Sequence, residues 1–234
     1  MDILPILSTL RRHKVTATLI VLEIALTCAI VCNAVFLINQ RLHRMDMQSG
    51  VAMHELVQVQ VSTIGSQPDA RARTQEDLAA LRQVPGVQAA TLVSQVPFTN
   101  SSWNSSIELA PTQTQPTLNA TLYFGEDVPQ VFGSRLVVGR YFGADEYVDF
   151  EVASNNPKAI PQSSLIVIIT RALAERLWPG ENPLGKTIYL GDSTPLRVVG
   201  VVASLIRPSL FGGDNTAQWS MILPLRMAVG QGAS

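Results

Sequence analysis

The chain has 234 residues, enough for one or two modest domains, and its net charge of −1 offers no electrostatic case for a nucleic-acid partner. Apolar residues make up 47 % and charged residues only 15 %, against about 25 % in ordinary soluble domains. The two cysteines, Cys28 and Cys32, both fall in one long apolar run, so no intrachain disulfide can staple anything from Met45 onward.

Ile3 to Leu10 is apolar and leads into Arg11, Arg12 and Lys14, the pattern of a short amphipathic segment lying on a membrane surface. Residues 1–14 are expected in the cytoplasm. Val15 to Ile38 follows as 24 residues with one ionisable group, Glu23. At about 1.5 Å per residue it reaches roughly 36 Å, enough to cross a hydrocarbon core of about 30 Å with some tilt, and it is too long for a signal-peptide core. Three basic residues precede it and two, Arg41 and Arg44, follow, which favours a cytoplasmic N-terminus. An intramembrane carboxylate is costly, so Glu23 is either functional or a protonated acid bonded to a neighbouring helix. Asn33 and Thr27 add polar groups suited to helix–helix contact. Cys28 and Cys32, four apart on one helix face, read as small lipid- or helix-facing side chains rather than as a metal pair. Residues 39–53 are expected to continue as a membrane-proximal helical stalk.

His54 to Thr63 alternates apolar and polar residues, a strand signature. Pro68 to Val84 reads as a helix with Ala72, Leu78, Ala79 and Leu81 as its apolar stripe, ended by Pro85-Gly86. Val87 to Val96 completes a strand–helix–strand unit. Residues 97–117, rich in Asn, Ser, Thr, Gln and Pro, suit a loop or short hairpin. Then come a strand at Leu118–Phe124, a short helix at Val128–Phe132, a turn at Val138–Phe142 and an acidic loop at Asp145–Glu151. Leu165–Thr170 is a buried-type strand and Arg171–Trp178 a helix stopped by Pro179-Gly180. Strands follow at Thr187–Leu190, Leu196–Val202 and Met221–Leu225. The fold class is therefore α+β: one N-terminal transmembrane helix, then a mixed α/β domain over residues 54–234 with βαβ units, in one lobe or two.

Gly180-Glu181-Asn182-Pro183-Leu184-Gly185-Lys186-Thr187 fits the P-loop expression. A P-loop follows a strand and opens a helix whose first amides hold phosphate. Here a helix precedes the glycines, a β-branched hairpin-forming run follows, and Pro183 removes an amide. The stretch reads as a turn-rich connection, and no cofactor is expected.

Leu173 to Ile188, LAERLWPGENPLGKTI, resembles the most recognisable segment of MacB-type (MacB/FtsX-like) ABC transporter permeases. Val198 to Val202, Ile222 to Leu225, Pro85-Gly86-Val87 and Val138 to Phe142 are similar to the family pattern as well, and in the same order. So is Leu10 to Lys14 leading into Leu22 to Leu26. The resemblance covers nearly the whole chain. It implies the first membrane helix and the periplasmic core domain of such a permease, in a bacterial inner membrane. It also implies a cytoplasmic ABC ATPase, a second permease subunit and a periplasmic adaptor as partners. Arg11, Arg12 and Lys14 would then lie near the ATPase or the headgroups. Family members carry four membrane helices, whereas no second apolar run precedes Ser234; truncation, or helices supplied by another polypeptide, would account for that.

Function is accordingly expected to be that of a permease subunit, or its N-terminal part, coupling cytoplasmic ATP hydrolysis to export or to extracytoplasmic mechanical work. The alternative is a single-pass anchored sensor or binding module. A tethered hydrolase is disfavoured: there is no G-x-S-x-G, no H-E-x-x-H and no metal-ligand cluster, and the three histidines are His13, His43 and His54.

Overall fold

Ile166 to Thr170 is the most deeply buried strand of the protein, with all five residues inaccessible, and the rest of the sheet is arranged around it. The computed structural model describes residues 14–45, 47–61, 69–99, 102–209 and 214–230. The chain divides into two units, Met1–Met47 and Gln48–Ser234.

The first unit is helix α1, Lys14–Met45, 32 residues without a buried side chain. It is long and apolar enough to cross a membrane. Two of its threonines are turned back on the helix: Thr18 Oγ1 donates to the Lys14 carbonyl and Thr27 Oγ1 to that of Glu23, both at 2.8 Å, so neither of these hydroxyls is left bare in an apolar setting.

The second unit is a mixed α/β domain on a barrel-like sheet. Its strands are β1 Asn104–Glu108, β2 Leu118–Phe124, β3 Leu136–Gly139, β4 Val148–Asp149, β5 Ile166–Thr170, β6 Thr187–Leu190, β7 Pro195–Val202, β8 Ser220–Leu223 and β9 Leu225–Arg226. Its helices are α2 Ala70–Arg82, α3 Val128–Val131, α4 Phe150–Asn155 and α5 Arg171–Leu177. The main sheet runs β3-β7-β5-β8-β2-β1-β6, and β6 also pairs with β7. Six strands thus close into a ring, with β3 added outside on β7. β2 with β8 and β5 with β7 are parallel; the remaining pairs of this sheet are antiparallel.

Alternation along the ring strands separates two cores. Val167, Ile169, Ile107, Leu122, Ile188, Val198 and Met221 face inward with residues of all six ring strands, and Leu173 and Leu177 of α5 join them. Ile166, Ile168, Tyr123, Val202 and Ile222 face outward under Val128, Phe132, Phe142, Tyr147 and Leu205. The uninterrupted apolar run of β5 follows from serving both cores. A bulge shifts the β5–β7 register between Val167 and Ile168. Beside it Gly139 enters at φ +86°, where a Cβ would stand 2.2 Å from the Val199 carbonyl oxygen. Only glycine lets β3 approach that closely.

Several expectations require correction. Residues 54–61 pair with no strand, and Val57, Val59 and Val61 are exposed; Thr63 lies outside the described residues. Alternation marks a strand only where a free edge accepts it, and ring closure consumes the edges of β1 and β6. Val87–Val96 makes only an isolated bridge, Val93 to Gly125. The parallel pair joined through a helix is β5–β7 instead, with α5 and β6 in the crossover. Val138-Gly139 ends a strand rather than lying in a turn, and the acidic stretch 145–151 folds into a 3-10 turn, β4 and the start of α4. In α2 the buried position is Thr74, with Leu78 half-buried, while Ala72, Ala79 and Leu81 are exposed.

Because Ile168 is fully buried in the outer core, Ile168→Ala is expected to destabilise the second unit by about 2–5 kcal/mol. Chemical denaturation followed by tryptophan emission checks this, since Trp103, Trp178 and Trp219 all belong to that unit.

Candidate functional site

The chain enters the second unit at Gln48, and four of its first five residues are tied to the rest of that unit. Gln218 Nε2 donates to the Gln48 carbonyl at 2.6 Å, and the Ile206 amide donates to the Ser49 carbonyl at 2.9 Å. Ser134 Oγ donates to the Gly50 carbonyl at 2.9 Å, and the Ala52 amide donates to the Phe132 carbonyl at 2.8 Å. Ser49 is itself buried. Gly50 adopts φ +77°, and a Cβ there would stand 2.0 Å from the Ser204 carbonyl oxygen. Only glycine adopts that backbone at so close an approach. The partner loop is held in turn: Tyr123, fully buried, donates its hydroxyl to the Ile206 carbonyl at 2.6 Å. Burial raises the Tyr123 pKa far above that of a free phenol, partly offset by Arg207, so the hydroxyl remains a donor at any physiological pH. The entry segment is therefore part of the domain's hydrogen-bonded frame and not a free tether.

α1 ends at Met45, and Gln48–Met53 is irregular, so the helical stalk expected over 39–53 is helical only in its first part. Positive φ at Gly50 is incompatible with continuing the helix.

A cleft of about 80 Å³ lies between α2 and the β4–β9 ribbon, lined by Arg71, Thr74, Leu78, Glu126, Asp149, Arg226 and Met227 among others. Its charges are paired across it. Arg71 bonds Asp149, and Arg226 Nε lies 3.1 Å from Glu126 Oε1. Arg226 also donates to the Tyr147 and Ala144 carbonyls and stands over the Tyr147 ring at 5.4 Å. The Val229 amide donates to Thr74 Oγ1 at 2.8 Å, which explains why a polar side chain is the buried one in α2. Nearby, Glu146 receives both ends of the Arg140 guanidinium, at 2.7 and 2.5 Å, and the Gly143 amide at 2.7 Å. The Arg140 bonds lead in holding the Glu146 carboxyl below the usual glutamate range, against the opposing effect of burial.

Of the residues singled out in the sequence, Lys14 is the first of α1, and Glu23 and Asn33 are exposed along it, ten residues and so roughly 80° apart. Arg11 and Arg12 lie outside the described residues. Cys28 and Cys32 are free and exposed. The P-loop-like string joins α5 to β6, and its Lys186 is bonded to Glu181 and stands 5.1 Å from the Trp178 ring centroid, facing no phosphate cradle. Gly50, Ser134 and Gln218 escaped notice in the sequence. Ser49-Gly50, a turn dipeptide just past the apolar run, was the one signal available.

Comparison with known proteins gives a match to the family model described as the MacB-like periplasmic core domain over residues 17–232. Among solved structures, the chain is similar to the extracellular domain of the noncanonic ABC-type transporter YknZ from Gram-positive bacteria, at 21 % identity over 64 % of this chain and 62 % of that one, with a TM-score of 0.39. It is also similar to the periplasmic region of MacB from Actinobacillus actinomycetemcomitans, at 23 % identity over 68 % of this chain and 61 % of that one, with a TM-score of 0.40. The chain thus spans about three-fifths of the length of these two structures. No curated protein matches it.

Glu146 has a lowered folded-state pKa, so its contribution to stability is complete above its ordinary value of 4.5 and fades as pH falls through the lower folded value. Melting temperatures of wild type and Glu146→Gln are expected to differ most above about pH 5 and to converge toward about pH 3; a constant gap across that range would contradict the assignment.

Proposed function

The chain belongs to the family of MacB-like periplasmic core domains, and on that premise we propose that it is the permease subunit, or the N-terminal part of one, of an ABC transporter. In this reading α1 spans the inner membrane with its N-terminus in the cytoplasm, and the second unit works outside it. Residues 1–14 are the cytoplasmic segment, with Arg11, Arg12 and Lys14 near the headgroups or a cytoplasmic ATPase. Glu23 and Asn33 supply polar contacts to other membrane helices, including those of a second permease subunit. A periplasmic adaptor is a further partner. A MacB-like core domain is not an enzyme fold, and among the described residues no three His, Cys, Asp or Glu side chains are placed to hold a metal ion.

The observation that carries the coupling reading is the fastened entry segment. Work done on a helix reaches a folded domain only if the residues between them cannot slacken. Here four hydrogen bonds and a glycine without room for a Cβ fix Gln48–Ala52 to three separate parts of the second unit. A flexible linker rich in glycine and serine would lose that displacement in chain entropy. The charged cleft beside α2 favours a second reading, an anchored sensor or binding module, because it offers a concavity with paired polar groups.

The two readings separate at the entry segment. Gly50→Ala imposes a backbone cost of about 1–2 kcal/mol, and its Cβ would also meet the Ser204 carbonyl oxygen at 2.0 Å, so it should lower the melting temperature strongly. In the assembled transporter, coupling predicts that Ser134→Ala, which removes one fastening bond without a clash, retains ATP hydrolysis while export falls. A sensor module predicts that export, measured in the same vesicles, is unaffected.

Orientation has its own test. A cysteine placed at Ser102, in a background without Cys28 and Cys32, should react with an impermeant maleimide on spheroplasts. Reaction only after permeabilisation would invert the proposed topology.

A further inference from the structure

Arg207, in the loop after β7, is half-buried, and its side-chain bonds go to neutral oxygens. Nε donates to Thr121 Oγ1 at 2.9 Å, Nη1 to Thr216 Oγ1 at 3.0 Å and Nη2 to Asn104 Oδ1 at 2.8 Å. Among the described residues no carboxylate forms an ion pair with it, Asp214 of the adjoining turn included. Residues 100–101 and 210–213, which flank the cluster in sequence, contain no acidic residue. Charged groups taken partly out of water are ordinarily matched by opposite charge. Burial accordingly lowers the Arg207 pKa, with the neighbouring Tyr123 opposing.

The acceptor at the surface end of this cluster is over-subscribed. Asn104 Oδ1 receives Arg207 Nη2, Thr121 Oγ1 at 2.8 Å and Ser102 Oγ at 3.1 Å. One amide oxygen has two lone pairs, and a guanidinium has five N–H donors, of which three are used here. Thr121 is fully buried and cannot turn to water for relief, whereas the Arg207–Asn104 bond lies at the surface. Three donors, one of them cationic, thus converge on a single neutral oxygen at the surface.

We propose that Arg207 and Ser102, beside Asn104, form a surface site for an oxyanion of the phosphate class. A tetrahedral anion accepts bonds from several directions at once, which suits a guanidinium fork beside the Ser102 hydroxyl. Free phosphate is one source of such a group. A lipid headgroup, which carries the same chemistry, is another.

The test uses the full chain in maltoside micelles, which carry no phosphate, with melting followed by tryptophan emission at constant ionic strength. Inorganic phosphate is titrated in one arm, and phosphatidylglycerol is doped into the micelles in the other. Asn104→Asp supplies a carboxylate in place of the anion, and Arg207→Gln removes the fork. Wild type is expected to gain about 2–4 °C at saturation in at least one arm. Asn104→Asp should melt higher than wild type without additions and respond to neither. A response to inorganic phosphate identifies the free anion, and a response to phosphatidylglycerol alone identifies the headgroup. No response in either arm, or a response that persists in both variants, would overturn the proposal.

Discussion

Pairing of β6 with both β1 and β7 closes the main sheet into a ring, and most of the second unit follows from that closure. A closed ring has an inside that must be filled and an outside that can be covered. The inward residues of all six strands fill it, with Leu173 and Leu177 of α5 added. The outward residues of β2, β5, β7 and β8 then need a cover, which α3, the Phe142–Tyr147 stretch and Leu205 provide. Phe142 and Tyr147 meet edge to face at 5.8 Å, and Phe132 meets Tyr123 in the same way at 6.1 Å. The cover thus has a fixed geometry as well as buried area.

The outer cover is also what fastens the chain's entry. Phe132, Ser134, Ile206 and Gln218 give the hydrogen bonds that hold Gln48–Ala52, and each sits in or beside an element packed on the ring. Tyr123 joins the two levels, since its ring lies in the outer core and its hydroxyl fixes the Ile206 carbonyl. Strain placed on the entry segment therefore meets the sheet itself.

Much of this was legible in the sequence where one signal sufficed. α1 rests on an apolar run, though it continues to Met45, seven residues past Ile38. β2, β5, β6 and β7 rest on short apolar or alternating stretches between turn residues and stand within a residue of their expected bounds. The order of α5, glycine loop and β6 also told against a phosphate-binding reading of Gly180–Thr187. Residues 54–61 and 87–96 misled because alternation records a face that suits burial and does not record whether an edge is free to pair. α2 misled because its buried contact is a hydrogen bond between Thr74 and Val229 rather than an apolar stripe. Gly50 and Arg207 were invisible for a related reason. Each owes its meaning to groups more than seventy residues away in the chain, Ser134 and Ser204 for one, Thr121 and Asn104 for the other.

The central claim is that the entry segment is a built part of the second unit. Amide hydrogen exchange reads this directly at Ala52 and Ile206, whose N–H groups bond Phe132 and Ser49. Opening free energies within one cooperative unit are shared, while a tether opens independently at little cost. Protection at Ala52 and Ile206 comparable to that of the β5 amides is the result this account predicts. Exchange of both at the rate of an unstructured peptide, with β5 still protected, would contradict it.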